Sequence, residues 1–353
     1  MNARSLATAG AMLLGCAAAA AAQTADSAMY IVRLGIDTVA IERWVMPGAE
    51  RPDSLHVVSV TRSPRTIVRR YVVRFDDAGR VTYVSTGPQG PAPTATSGAV
   101  PIAGGTYAPY AVAVWYAMRA GTAEHTVPML VGSSTRDVVV QRRAAGEYTL
   151  PNQFGVPLTV LVAPHGAVTS IDAGGGSTFE RVDWFDLEAL TREFAARDAS
   201  GTGLGMLSPR DTTRATVAGA KIVIDYSRPS ARGRTVLGGL VPYGEVWRTG
   251  ANEATQLITT APICVGSVCV EAGRYSLFTI PRAGAWELII NRRTGMSGLE
   301  HDPSQDVGRV SLQPAATSSH TEQFTIRLDP APTGARLRIM WGDADVSVPV
   351  RRQ

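Results

Sequence analysis

Lysine is nearly missing from this chain: of its 34 Lys and Arg residues, only Lys221 is a lysine. A phosphate-binding P-loop needs a Gly-Lys-Ser/Thr element, so that class is excluded. Schiff-base chemistry is confined to one residue. Charged residues make up only 18 % of the chain, and the net charge of +4 is spread over both halves. No block of five or six like charges occurs, so no nucleic-acid partner is expected. Beyond the N-terminus no run reaches the roughly eighteen apolar residues of a membrane helix. The five histidines, His56, His125, His165, His301 and His320, are scattered. There is no His-Glu-x-x-His helix, no Gly-x-Ser-x-Gly elbow and no EF-hand loop. Neither a cofactor nor a metal is therefore expected. Cysteine is limited to Cys16, Cys264 and Cys269.

What is present begins with an export signal over residues 1–23. Arg4 supplies a basic start, and Leu6 to Leu14 form an apolar core too short to span a bilayer. Two processing routes fit. Leu13-Leu14-Gly15-Cys16 resembles a lipobox that would lipidate Cys16, whereas the alanines from Ala17 to Ala22 suit cleavage that discards it. Either route implies an exported protein in the periplasm, at the outer membrane or secreted, with a lipid anchor as its sole membrane tie.

The remaining residues number enough for two domains, and 45 % of the chain is hydrophobic. Residues 24–197 read as an antiparallel β-meander. Its strands are Met29 to Leu34, Thr38 to Val45, Leu55 to Val60, Arg69 to Phe75 and Arg80 to Val84. After a Pro/Gly-rich loop from Gly87 to Gly105 come Ala111 to Met118, Thr126 to Val131, Asp137 to Arg142, Glu147 to Leu150, Pro157 to Val162 and Ala167 to Ile171. The run Ala111 to Met118 also suits a helix, because periodicity cannot settle a short apolar run. Asp186 to Arg197 predicts a helix capped by Asp186, with Leu187, Leu190, Phe194 and Ala195 on one face. Residues 198–207 read as a linker. Residues 208–353 carry about nine strands with Gly/Pro turns, which predicts a β-sandwich or jelly roll. The chain is thus expected to be all-β, with one helix near the end of its first domain.

The second domain is organised around Asp225 to Thr255, where seven Gly or Pro residues punctuate an unusually polar stretch. It ends in Trp247-Arg248-Thr249-Gly250-Ala251-Asn252-Glu253. As a binding site, Arg248 would clamp an anion, Glu253 would accept or transfer a proton, Asn252 would orient the ligand and Trp247 would stack on a ring. As plain wiring, Arg248 and Glu253 would form a buried pair with Trp247 in the core. Asp306 and Arg309 carry the same two readings. Arg228, Arg232 and Arg234 make a basic rim or a solvated face. Cys264 and Cys269 flank Val265-Gly266-Ser267-Val268, a two-residue hairpin turn that places the cysteines opposite each other, about 4.5 Å apart at Cα. A disulfide is expected, since no further Cys or His lies near for a metal.

Several motifs from Ser208 onward resemble the bacterial domain-of-unknown-function family 2911. They are Tyr226-Ser227-Arg228-Pro229-Ser230, Arg232-Gly233-Arg234, Gly238 to Gly244, Trp247 to Thr255, Ala272 to Pro281 and Asp306 to Val310. The resemblance implies a fold and an exported location but no reaction. The chain departs from the family's usual pattern at Met296-Ser297-Gly298, where Trp-Gly is common, and at His301, where Tyr is common. Two functions are carried forward. One is a non-enzymatic module binding an envelope ligand or protein through Trp247, Arg248, Asn252, Glu253, Asp306 and Arg309. The other is an envelope hydrolase using Glu253 with Asp306 or His301.

Overall fold

The structure is a computed structural model that describes residues 27–46, 53–85, 94–95, 98–102, 104–282, 284–295, 298, 300–315 and 319–353. The expected export signal and Cys16 lie outside these residues. The chain is mostly β and divides into two compact units, the first ending at Gly203, with the short segments Leu34–Asp37 and Ser63–Arg65 grouped with the second.

The first unit contains β1 (Ser27–Leu34), β2 (Asp37–Val45), β3 (Ser54–Thr61), β4 (Ile67–Phe75), β5 (Val81–Ser85), β6 (Thr94–Ala95) and β7 (Val100–Pro101). Helix α1 (Ala108–Ala120) follows, then β8 (Glu124–Val131), β9 (Ser134–Ala144), β10 (Glu147–Pro151), β11 (Pro157–Val162), β12 (Val168–Asp172), β13 (Ser177–Val182) and helix α2 (Leu187–Ala199). Its thirteen strands form one sheet in the order β6-β5-β4-β3-β2-β1-β13-β12-β11-β10-β9-β8-β7. The expected meander is therefore two meanders joined edge to edge by β13, a strand that the sequence reading passed over within its glycine-rich surroundings.

Ala111 to Met118 is helical, not a strand. Pro109 in the first turn and a left-handed Gly121 at the C-cap bracket a run of thirteen residues, too long for a typical strand. A helix of that length extends about 20 Å, whereas thirteen flat strands would be about 60 Å wide. Yet α1 and residues from β1 to β13 share one core, which includes Tyr30, Trp44, Leu55, Val112, Met129, Leu158 and Phe179. The sheet must curl so that one face meets one helix. Helix α2 packs on the opposite face, where Leu187, Leu190 and Phe194 meet Ile41 and Val60. Asp186 caps it by accepting the Ala189 amide at 2.9 Å, as expected. Ala195 is exposed and not on the buried face.

The inner face of β2 carries a carboxylate. Glu42 is fully buried between Ala40 and Trp44. It accepts Trp44 Nε1 at 2.7 Å, Thr106 Oγ1 at 2.9 Å, and the Tyr107 amide and Ser59 Oγ at 3.3 Å each. Tyr107, the N-cap of α1, provides no side-chain cap, so a strand residue distant in sequence satisfies the helix start.

The second unit comprises β14 (Arg210–Val217), β15 (Ala220–Ser227), β16 (Thr255–Thr259), β17 (Ile263–Val265), β18 (Val268–Val270), β19 (Gly273–Arg282), β20 (Ala285–Asn291), β21 (Asp306–Pro314), β22 (Thr321–Ala331), β23 (Gly334–Gly342) and β24 (Ala344–Arg352). One layer runs β14-β15-β16-β19-β20-β21, and the other holds β22, β23, β24, β17 and β18. They join where Gln313 and Pro314 of β21 pair with Ser347 and Val346 of β24. Ile224, Leu257, Leu277 and Ile290 of the first layer pack into one core with Phe324, Ile326, Leu337 and Val348 of the second. This is the predicted sandwich plus an edge strand, β14, whose polar composition hid it. Cys264 pairs with Cys269 across the β17–β18 hairpin and forms the expected disulfide, with Cα atoms 3.9 Å apart.

Burial pushes the Glu42 carboxyl from 4.5 up to about 7, against the pull of its four hydrogen bonds. The native state therefore holds this proton more tightly than the unfolded chain does. The resulting stability is fully present below pH 4.5 and is lost as pH rises through 7. Urea denaturation should show a decline on the order of 3 kcal/mol across that window, and Glu42→Gln should flatten it.

Candidate functional site

The Trp247–Thr255 stretch is a loop with pinned ends on one edge of β19. Trp247 pairs with Thr279, its amide donating to the Thr279 carbonyl at 2.7 Å and its carbonyl accepting from the Thr279 amide at 2.8 Å. Eight residues later Thr255 pairs with Leu277 on the same strand. The Thr255 amide donates to the Arg248 carbonyl at 3.2 Å and its hydroxyl to the Thr249 carbonyl at 2.6 Å, which closes the loop on itself. Thr249 and Asn252 both sit in the left-handed region, at φ 54° and 62°. A β-branched residue there is strained, and strain of this kind gathers where a loop must hold a defined shape.

Strand alternation separates the two large side chains. Trp247 points into the sandwich, stacked on Trp341 with ring centroids 5.7 Å apart and edge-on to Phe324 at 5.1 Å. It is a core residue and not an open stacking platform. Arg248 points to the outer face and lies across Gly298, where an added Cβ would fall 2.1 Å from its Cδ. Only glycine allows the arginine to lie this way. The Gly298 amide donates to the Asn252 carbonyl at 3.3 Å, joining the two loops.

The outer face bears a polar row crossing five strands. Asp225, Gln256, Ser276, Asn291 and Asp306 stand in register on β15, β16, β19, β20 and β21. Gln256 Nε2 donates to Ser276 Oγ at 3.0 Å, and Ser276 donates to the Arg293 carbonyl at 2.7 Å. Asn291 is fully buried and donates to the Asp302 carbonyl and to Asp306 Oδ1, each at 2.8 Å. Its own carbonyl accepts the Arg293 amide at 2.9 Å. Beside this row lies a small apolar cluster of Ala254, Phe278, Ile280 and Ile289. The His301 ring rests on Phe278, and its Nε2 is 2.8 Å from Asp306 Oδ1. Arg309 reaches Asp306 Oδ2 at 3.3 Å.

The expected Arg248–Glu253 pair does not form. Glu253 is exposed and pairs with Arg210 at 2.7 Å, and Arg210 also holds Asp225 at 2.7 Å. The left-handed turn at Asn252 directs Glu253 toward β14, a strand absent from the sequence reading. Asp225 and Asp306 are four strand spacings apart, about 19 Å. Glu253 therefore does not converge with Asp306 or His301. Of the expected arginine rim, Arg228 is engaged with Asp211, Thr325 and the Phe324 carbonyl, and Arg234 with the Ala231 and Ser230 carbonyls.

Arg232 pairs with Asp37, although its Nε is also enclosed without a hydrogen-bond partner among the described residues. Arg248 has no such ion pair among the described residues. It is half-buried, and its Nε is enclosed without a hydrogen-bond partner among the described residues. No described carboxylate forms an ion pair with it, and burial alone pulls the guanidinium below the usual arginine range. Gln256 Oε1, on the same face, is also buried without a donor among the described residues.

The sequence reading missed Gln256, Ser276, Asn291 and Gly298. The signal for them was in β19: Leu277, Phe278, Thr279 and Ile280 are large or β-branched at every position, which marks a strand covered on both faces. A covered outer face needs side chains that bind the covering backbone.

Residues 208–350 match the family model described as Protein of unknown function (DUF2911), which bears out the resemblance carried by the motifs. No curated protein matches the chain.

Two substitutions separate surface pairing from interior wiring. Glu253→Gln should cost under about 1 kcal/mol in chemical denaturation, because Glu253 is 62 % exposed in its ion pair. Asn291→Ala, which strips three buried hydrogen bonds, should cost about 2–4 kcal/mol.

Proposed function

We propose that this is an exported envelope protein whose second unit binds an anionic ligand at Arg248 without transforming it. The carrying observation is a half-buried guanidinium, its Nε enclosed and unpartnered and with no counter-charge among the described residues, held by a strained loop over a glycine. Burying such a charge is costly unless something completes its pairing. A carboxylate or phosphate oxygen does so with charge-assisted hydrogen bonds. Asn252, exposed on the same loop, offers an amide to the same ligand. The export signal at residues 1–23 supports placing this binding in the envelope, with Cys16 as an anchor if it is retained.

A hydrolase would need two titratable groups facing one substrate. Paired carboxylates flanking a glycosidic bond stand roughly 5–10 Å apart. Glu253 is held by Arg210 at the far end of the polar row, and Asp306 is engaged by His301, Asn291 and Arg309. Binding is the reading this arrangement favours.

The test is a thermal-shift and calorimetry panel of uronic-acid oligosaccharides, phosphorylated glycans and acidic peptides, each with a neutral counterpart. At least one anionic class should raise the melting temperature of the natural chain, lose that effect in Arg248→Gln, and bind more weakly at high salt. Binding unchanged in Arg248→Gln would contradict the proposal. Turnover of a panel member that Asp306→Asn abolishes would favour the hydrolase.

A further inference from the structure

The first unit holds a cavity of about 920 Å³ between α1 and the inner face of its sheet. The walls are aromatic and thioether: Tyr30 and Trp44 from the strands, Trp115, Tyr116 and Met118 from the helix, and Phe75 at the end of β4. The polar tips of these rings are turned away from any ligand. Tyr30 Oη donates to the Val168 carbonyl at 3.1 Å, and Trp115 Nε1 to the Gly166 carbonyl at 2.9 Å. Trp44 Nε1 donates to Glu42, and Tyr116 Oη accepts the Val81 amide. Most of the lining surface is apolar, and Ser27 and His165 add polar groups to it.

The cavity is also long. Its lining includes residues of β12, β13, β1, β2 and β4, strands that lie along five consecutive spacings of the sheet, about 24 Å along the sheet at ordinary strand spacing. Charged side chains line it as well: Asp53, Asp77, Arg119 and Arg181, the two arginines without an ion-pair partner among the described residues, and Asp76, already paired with Arg80. Small residues, Ala28 and Ala167, keep the interior open where larger ones would fill it. A space lined by aromatic and thioether surface together with charged side chains suits a molecule with an apolar body and a polar end. Met46 and Met118 add walls that adapt to a flexible occupant.

We infer that this cavity binds the acyl chain of a lipid, with the head group left among the charged residues. The length favours a chain over a compact ring system. This site is independent of Arg248 and is carried by a different unit.

The experiment titrates the full-length mature protein with a dansyl-labelled undecanoic acid probe. Hexadecanoic acid, 1-hexadecanol and a dipalmitoyl phospholipid serve as competitors. Saturable binding displaced by at least one hexadecyl competitor is expected. Displacement by the acid and alcohol alone identifies a free single chain, and displacement by the phospholipid identifies a membrane lipid. Ala28→Phe and Ala167→Phe, each checked for an unchanged melting temperature, should weaken probe binding about tenfold or more. The near-isosteric Trp115→Phe provides a second readout that needs no overpacked variant: energy transfer from tryptophan to bound probe should fall. No saturable binding, or binding and transfer unaltered by these changes in folded protein, would overturn the inference.

Discussion

Asn291 holds the outer face of the second unit together. It sits at the end of β20, fully buried, and every hydrogen bond of its amide goes to the segment that follows or to the start of β21. Without it, the carbonyl of Asp302 and the amide of Arg293 would each lose a hydrogen-bond partner. Such groups cost more unmade than they contribute when made. The covering segment in turn shields Phe278 and Ile289, carries His301 onto Phe278, and brings Gly298 under Arg248. One side chain thus fixes the backbone on which the proposed site is built.

The first unit answers the same demand with a charge. Glu42 gathers donors from a strand neighbour, a second strand and the start of α1, and so positions the helix inside the curled sheet. A neutral amide and a carboxyl do equivalent work, but the carboxyl makes its unit sensitive to pH. Against these well-satisfied groups Arg248 stands apart. Buried polar atoms are normally paired, and an exception in a native fold needs an explanation. Arg248 Nε is one such exception, as are Arg232 Nε, Thr66 Oγ1 and Gln256 Oε1, and Arg248 sits on a strained loop; the proposed ligand would account for both the missing partner and the strain.

Alternation and turn chemistry made most of the strands legible. The sandwich followed from inward residues such as Ile222, Ile224, Leu257 and Leu277, and the disulfide followed from Gly266-Ser267 between two valines. Helix α2 was legible through Asp186 and the spacing of Leu187, Leu190 and Phe194. Helix α1 was ambiguous because it is apolar on nearly every side, so no periodicity distinguishes it from a buried strand; Pro109 and Gly121 carried the information instead. At the site, the inward Trp247 and outward Arg248 were readable from period two. The partner of Glu253 was not, because it depends on a left-handed Asn252 and on β14, whose Arg, Asp and Thr residues bury almost nothing. Long-range pairings of this kind are set by topology, which local sequence does not encode.

The claim at the centre of this account is that Arg248 is kept for a ligand and not for the fold. The stability of Arg248→Met tests it most directly, because methionine keeps an apolar stem over Gly298 while removing the unpaired charge. Urea denaturation of the ligand-free protein should find this variant at least as stable as the natural chain, since a half-buried cation with no counter-charge among the described residues has been relieved. A loss of about 2 kcal/mol or more would show that the guanidinium serves the interior after all, and would contradict the account.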